Sequence, residues 1–233
     1  MSTATPQSQS QSQAQSQPQA QQHAATPRLR ADAARNRAQI LAAARAAFRE
    51  LGTAVPLDEI ARRAEVNIAT LYRRFPDREA LVRQVVLDGF IVLNEAARRA
   101  LEAACTDALE AIEQLMMDMV NERDRLILPL IGGPITTDAD AIDLQRDNAA
   151  RIEEILSIGR AQGTIRADAT AVDVIASGAM ACRPMPYLPP EQAAAIATRH
   201  VRIFADGLRP TPSRPLPHAS PTPDQLFANL RTP

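Results

Sequence analysis

The 233 residues carry 26 basic side chains, none of them Lys, against 27 acidic ones, and 45% of the chain is hydrophobic but only 3% aromatic. No apolar run approaches the roughly 20 residues that span a bilayer, the first residues lack the basic and apolar parts of a secretory leader, and two Cys with three His show no metal-ligand spacing. A cytoplasmic, all-α protein with no cofactor or metal is therefore expected, its Ala-rich composition favouring helices and Cys105 and Cys182 reading as small buried thiols.

Residues 1–27 are almost wholly Gln, Ser, Ala, Thr and Pro. With no apolar periodicity to offset the entropy of ordering, they read as a disordered tail. A first helix is expected from Asp32 to Leu51, where Ile40, Ala44, Ala47, Phe48 and Leu51 recur at helical spacing and Gly52 follows as a stop. Pro56 opens a short second helix whose apolar face is Leu57, Ile60, Ala61 and Ala64. The pattern breaks at Glu65-Val66, and Asn67 caps a third helix with Ile68, Leu71, Tyr72 and Phe75 turned inward. Pro76 ends it. Asp77 then caps a fourth helix, to about Cys105, whose apolar positions occupy more than one face and so suit two successive cores.

Beyond it the periodicity predicts a fifth helix near Asp107–Arg125, a short sixth around Leu126–Leu130, a loop at Gly132-Gly133-Pro134, and a seventh helix over Asp140–Gln162 stopped by Gly163. An eighth spans Thr170–Cys182 with small residues along one side, and a ninth spans Glu191–Leu208. Seven prolines within residues 209–233 mark a C-terminal tail, in which Asp224–Leu230 can dock as a short helix. The expected organisation is a tail at 1–27, a helix-turn-helix unit at 28–83, a larger helical unit at 84–208 for ligand binding and dimerisation, and a Pro-rich tail at 209–233.

Charge is segregated on this frame. Residues 28–83 hold twelve Arg against seven acids, a net +5, while the rest of the chain is net −6. If Ile68, Leu71 and Phe75 face in, then Ala69, Thr70, Arg73 and Arg74 face out, with Tyr72 on the border. Such a face suits a major groove: arginine forks onto guanine, and hydroxyls take phosphates or a thymine methyl. Asn67 can reach a base edge besides capping. Arg78 adds charge at a helix N-terminus, and Arg28, Arg30, Arg35 and Arg37 form a basic arm suited to the backbone or minor groove. The bland alternative is a solvated, basic helical hairpin.

The run from about Arg35 to Val86 resembles the N-terminal domain of the TetR/AcrR family of bacterial transcriptional regulators. The likeness rests on Ile40-Leu41-Ala42-Ala43-Ala44, on Phe48 with Gly52, on Asp58-Glu59-Ile60-Ala61 with Ala64, and above all on Thr70 through Leu81. It implies a homodimer joined by a four-helix bundle, bound to double-stranded DNA and released by a small molecule held in a central cavity, most simply a repressor on a palindromic operator. It places Thr70, Tyr72 and Arg78 at family DNA-contact positions, with Asn67, Ile68, Ala69, Arg73 and Arg74 in the sequence-reading slots. Two departures stand out. Glu65 occupies a turn position where the family usually has Gly, so it either strains the turn or changes it, and Val55-Pro56 lacks the usual hydroxyl.

Phe90, Leu93, Ile112, Met116, Met119, Ile155 and Leu156 either line an effector cavity or fill a core. Arg160 or Asn148 is a candidate polar anchor, with a solvated helix face as the alternative. Val174, Gly178, Cys182, Ile196, Val201 and Phe204 suit a dimer surface, with intramolecular packing as the alternative. The rival reading is a ligand-binding protein of this fold that has lost DNA binding. An enzyme is not expected, because no nucleophile motif, phosphate loop or metal cluster is visible.

Overall fold

Helix-forming composition carries the first helix further than its apolar stripe. In the computed structural model, which describes residues 19–128, 137–210 and 214–229 and the side chains of 31–128, 137–210 and 214–228, α1 is Gln19–Leu51. Residues 19–27, expected to be disordered, are thus helical. Gln and Ala are good helix formers, and adding turns to an anchored helix avoids the cost of nucleation. The remaining expected tail, residues 1–18, lies outside the described residues.

Pro56 immediately precedes α2 (Leu57–Arg63) without a side-chain cap, and Asn67 caps α3 (Ile68–Arg74), the Asn67 Oδ1 accepting the Ala69 N–H at 2.8 Å. The Asp77 carboxylate accepts the Ala80 N–H at 2.7 Å and opens α4 (Arg78–Ala104). Asp107 caps α5 (Ala108–Asn121) through two backbone N–H groups. The chain then turns, and residues 126–128 are not helical as expected; the other two residues of that short helix lie outside the described residues. Their side chains explain the difference, because Leu126, Ile127 and Leu128 are all buried, in two directions, which one helical face cannot achieve. α6 (Ala139–Gln162) stops at Gly163, whose φ of 69° is the left-handed conformation expected of a glycine stop. α7 (Ala171–Ala181), α8 (Pro190–Gly207) and α9 (Pro223–Asn229) complete an all-helical chain among the described residues.

Two hydrophobic clusters organise these helices. The smaller unites α1, α2 and α3 with Leu81 and Val85 of α4, and the larger begins one residue later at Val86 and runs through Phe90 and Leu93 into α5 to α9. One α-helix therefore feeds both, as its multi-sided apolar pattern requires. A second element does the same: Leu126 and Leu128 join the larger cluster, while Ile127 between them enters the smaller one. The link is reinforced by Arg49 of α1, which pairs with Asp124 at 3.3 Å, and Arg45, which pairs with Asp88 of α4 at 3.6 Å.

The C-terminal segment is not a free tail. Arg166 donates to the Arg214 carbonyl at 3.1 Å, and Asp168 accepts the Leu216 N–H at 2.8 Å. Beyond this clasp α9 packs on α6 and α7 and buries Phe227 to 4% exposure in the larger cluster. The described prolines of this segment lie in the connector and at the first position of α9, where a missing N–H costs little, and Leu226 with Phe227 gives α9 an apolar edge to bury.

Candidate nucleic-acid interface

The turn between α2 and α3 decides how α3 is presented. Glu65 sits in it at φ 55°, so the chain keeps the left-handed turn and accepts the strain. Val66 N–H donates to the Ala61 carbonyl at 3.1 Å, closing the turn on α2. Leu71 and Phe75 then lock α3 inward, and Ile68 is half-buried against the same cluster. Ile68, expected both on the inward stripe and among the sequence-reading positions, packs by its β-branched side chain on the stripe shared with Leu71 and Phe75 and keeps part of its surface open.

The opposite face is open. Asn67, Ala69, Arg73 and Arg74 are exposed, Thr70 is half-buried, and Tyr72, one of the expected inward set, is 50% exposed. Arg73 Nη2 donates to the Thr70 Oγ1 at 2.8 Å, which orients the guanidinium and leaves the hydroxyl proton free for an outside acceptor. Among the described residues Arg74 has no ion-pair partner. Arg37 stacks over the Phe75 ring at 5.7 Å, holding a cation at the edge of this face.

Much of the excess positive charge of this region is committed elsewhere. Arg62 and Arg63 both hydrogen-bond Glu59, and these two guanidinium groups hold its carboxyl down to about 2. Arg63 also reaches Glu50 at 2.6 Å. Arg83 bonds Asp138 and Asp140. Arg78, expected at a phosphate, instead donates Nη1 to the Thr53 carbonyl at 2.9 Å and Nη2 to the Val55 carbonyl at 2.6 Å. Its guanidinium fixes the α1–α2 loop because that loop leaves two carbonyls without helical partners beside the start of α4. Arg35 is exposed and 4.0 Å from Asp32. Arg28 and Arg30 stand on α1, so the expected arm is a helix; their side chains lie outside the described ones.

Of the expected cavity residues, Phe90, Ile112, Met116, Ile155 and Leu156 are packed in the larger cluster. Leu93 and Met119 also border a cleft of about 390 Å³ between α4 and α5, whose rim is polar: Glu95, Arg99, Asp118, Asn121, Glu122 and Arg125. Sequence reasoning missed that rim, since charges on a helix surface carry no signal of a cleft. Arg160, one of the two candidate anchors, is tied to Glu153 and the Ala169 carbonyl. The expected dimer set divides differently. Val174, Gly178, Cys182 and Val201 face the chain's own interior, Phe204 is half-buried there, and Ile196 alone is open. A Cβ on Gly178 would lie 2.9 Å from the Met119 Sδ, so its smallness serves the approach of α5. From α7 through α8 the large apolar side chains that stand outward are Met180, Tyr187, Leu188, Ile196 and Ile203, of which Tyr187 is 97% exposed. Met180, Ile196 and Ile203 were legible as apolar residues off the main stripes of α7 and α8, whereas Tyr187 and Leu188 stand in the connector between those helices. Burial pushes the Cys182 thiol up to about 12, whereas Cys105 is exposed, against expectation, because the turn closing α4 carries it out.

Residues 40–85 match the family model described as bacterial regulatory proteins, tetR family. The crystal structure of the TetR transcription regulatory protein from Mycobacterium vanbaalenii is 36% identical, over 78% of this chain and 99% of that one, at a TM-score of 0.51. The chain belongs to the TetR family. It is thus a transcriptional regulator with an N-terminal helix-turn-helix, in a family whose members bind DNA and ligands and act as dimers. A second TetR structure, SCO0520 from Streptomyces coelicolor, is 28% identical over 75% of this chain and 99% of that one, at a TM-score of 0.50. The regulator PfmR from Thermus thermophilus has the same fold at 21% identity, covering 73% and 99%, with a TM-score of 0.59. These matches span nearly all of the other chains but about three quarters of this one. A search of the curated proteins finds no match.

Proposed function

We propose that this TetR-family regulator represses transcription as a homodimer, reading a near-palindromic operator through Asn67 to Arg74 of each subunit and leaving it when a small molecule binds. The observation that carries the reading is the outer face of α3, where Tyr72, Arg73 and Arg74 are exposed around the half-buried Thr70 while Leu71 and Phe75 fix the helix from beneath. Arginine forks and hydroxyls are the groups that base edges and phosphates accept. Arg28, Arg30, Arg35 and Arg37 add sequence-independent attraction along α1. Arg78 acts one step back, by holding the loop that seats α2. Residues 28–83 form the reading unit and 84–208 the responding one, and the site of action is the cytoplasm.

The exposure of Met180, Tyr187, Leu188, Ile196 and Ile203 supports pairing of two copies, since apolar groups so exposed lose free energy by being covered. Pairing would set the two α3 helices about 34–36 Å apart for successive major grooves. Two connectors favour a response of that spacing to ligand: α4, and the 122–128 turn, which borders the α4–α5 cleft through Leu126 and enters the reading unit through Ile127. A ligand that prefers one position of this turn shifts the population by no more than its differential affinity.

The test is fluorescence anisotropy on operator candidates selected from a random duplex pool. Tyr72→Ala with Arg73→Ala should abolish specific binding, and half-sites should recur about one helical turn apart; unchanged affinity in the double variant sinks the proposal. Binding to random duplex should fall steeply with salt. A family member that had lost DNA binding would show no binding at any ionic strength.

A further inference from the structure

The polar atom hardest to account for lies on α6. Asn148 is 4% exposed, and its Oδ1 has no hydrogen-bond partner among the described residues. A solvated helix face is thus excluded for it. Ala141 seven residues before it, Ile152 four after and Ile155 seven after are apolar and buried on the same side of the helix, while Leu144, Gln145 and Arg151 beside it are half-buried. The same stretch of α6 is pinned to α4 from both sides. Asn94 Nδ2 donates to the Leu144 carbonyl at 3.3 Å, and Arg151 Nη1 donates to the Asn94 Oδ1 at 2.9 Å. α5 and α7 close over the helix elsewhere.

A carboxamide in such a place gives up its water and gains nothing for its oxygen, whereas an apolar side chain of that size would fold without the loss. The orphan therefore points to a group that completes it. Among the described residues the only other buried polar side chain is Ser177, already bonded to His200 at 2.9 Å, and no ionised side chain is buried. Such an interior does not suit a charged ligand. It can make room for a neutral one: Met116 and Met119 are adaptable side chains, and Leu93, Met119 and Leu126 belong both to this core and to the wall of the α4–α5 cleft.

We propose that Asn148 is the polar anchor of a site, entered from the α4–α5 cleft, for a neutral and mostly apolar small molecule carrying a hydroxyl group. The hydroxyl satisfies the orphaned amide, and the rest of the molecule displaces methionine and leucine side chains. The proposal rests on the reading that the larger core takes an effector, and it names that effector's class and its one directional contact.

p-Cresol and p-xylene test it, because they share a shape and differ in the hydroxyl. Their affinities for the full chain are measured by ligand-observed NMR and thermal shift, for wild type and Asn148→Leu. p-Cresol should bind wild type roughly fivefold to tenfold more tightly than p-xylene, the worth of one net hydrogen bond in a dry site. In Asn148→Leu, which should melt no lower than wild type, the preference should vanish while p-xylene binding persists. If Leu proves too bulky to fold, Asn148→Ala reads the same preference. Equal affinities in wild type, or a preference that survives substitution, overturn the proposal and leave the effector reading standing. Absence of binding by either probe also overturns it. The effector reading fails separately, if small-molecule extracts never release DNA from the wild-type protein.

Discussion

Replacing Glu65 with Gly should stabilise the protein and tighten its grip on DNA, for two separable reasons. At φ 55° the Cβ of Glu65 crowds the backbone, a penalty of about 1–2 kcal/mol for an L-residue. Gly removes it but adds freedom to the unfolded chain, which takes back about 0.4–1 kcal/mol. The net gain is about 0.5–1 kcal/mol, or roughly 1–4 °C in melting temperature at this size. The side chain is exposed, so no packing is lost. Glu65 is also an anion beside the face offered to phosphates, and its removal should raise affinity for duplex, more at low salt than at high. Glu65→Gln separates the two effects, since it keeps the strain and drops the charge. Calorimetry should show Gly above Gln and wild type, with those two alike, while anisotropy should show Gly and Gln alike and both above wild type. If Gly melts at or below wild type, the strain argument is wrong; if Gln melts as high as Gly, the gain was electrostatic.

Three further outcomes follow from the packing. Arg78→Ala should cost about 1.5–3 kcal/mol by orphaning the Thr53 and Val55 carbonyls and should weaken DNA binding without changing its salt slope; a slope shallower by about one would instead make Arg78 a phosphate contact. Ile127→Ala should destabilise by about 2–5 kcal/mol, and urea unfolding should show the loss in signals from α1 to α3 although the residue lies far beyond them in the chain. For the C-terminal clasp, the Asp168 carboxyl is held down to about 2, first by Arg166 and then by the Leu216 N–H. A depressed carboxylate contributes its stability above its unfolded value near 4, and that contribution is lost as pH falls from there to about 2. Pepsin should therefore nick residues 214–222 of wild type only once the pH has fallen into that window, and those of Asp168→Asn already at pH 5; identical nicking of both proteins would refute the clasp.

How far the sequence spoke depended on whether a signal was local. Caps, stops and the inward stripe of α3 are encoded in spans of a few residues, and Asn67, Asp77, Gly163, Leu71 and Phe75 lie where they were expected. The left-handed turn at Glu65 was legible as a problem, though its resolution was not, since a strained turn and a different one fit the same letters. What failed was partnership at long range. Arg78 read as a free cation because nothing local announces two loop carbonyls 23 and 25 residues away. Gly178 and Val201 read as a surface for another subunit because an apolar stripe does not say whose core it enters. The fate of the proline-rich end turned on Phe227, whose burial depends on a groove between α6 and α7 that no window of sequence contains.

Ile127 also bears on how such regulators can be recombined. A chimaera that exchanges residues up to the α4 junction would transplant a reading unit whose core lacks one of its own side chains, because that side chain is donated from a turn in the other half. Grafts of this kind should work when the residue at position 127 travels with the new unit, and should yield a loosened recognition helix when it stays behind. The functional module is thus discontinuous in the gene, and the seam for modular engineering runs through the 122–128 turn as well as through α4.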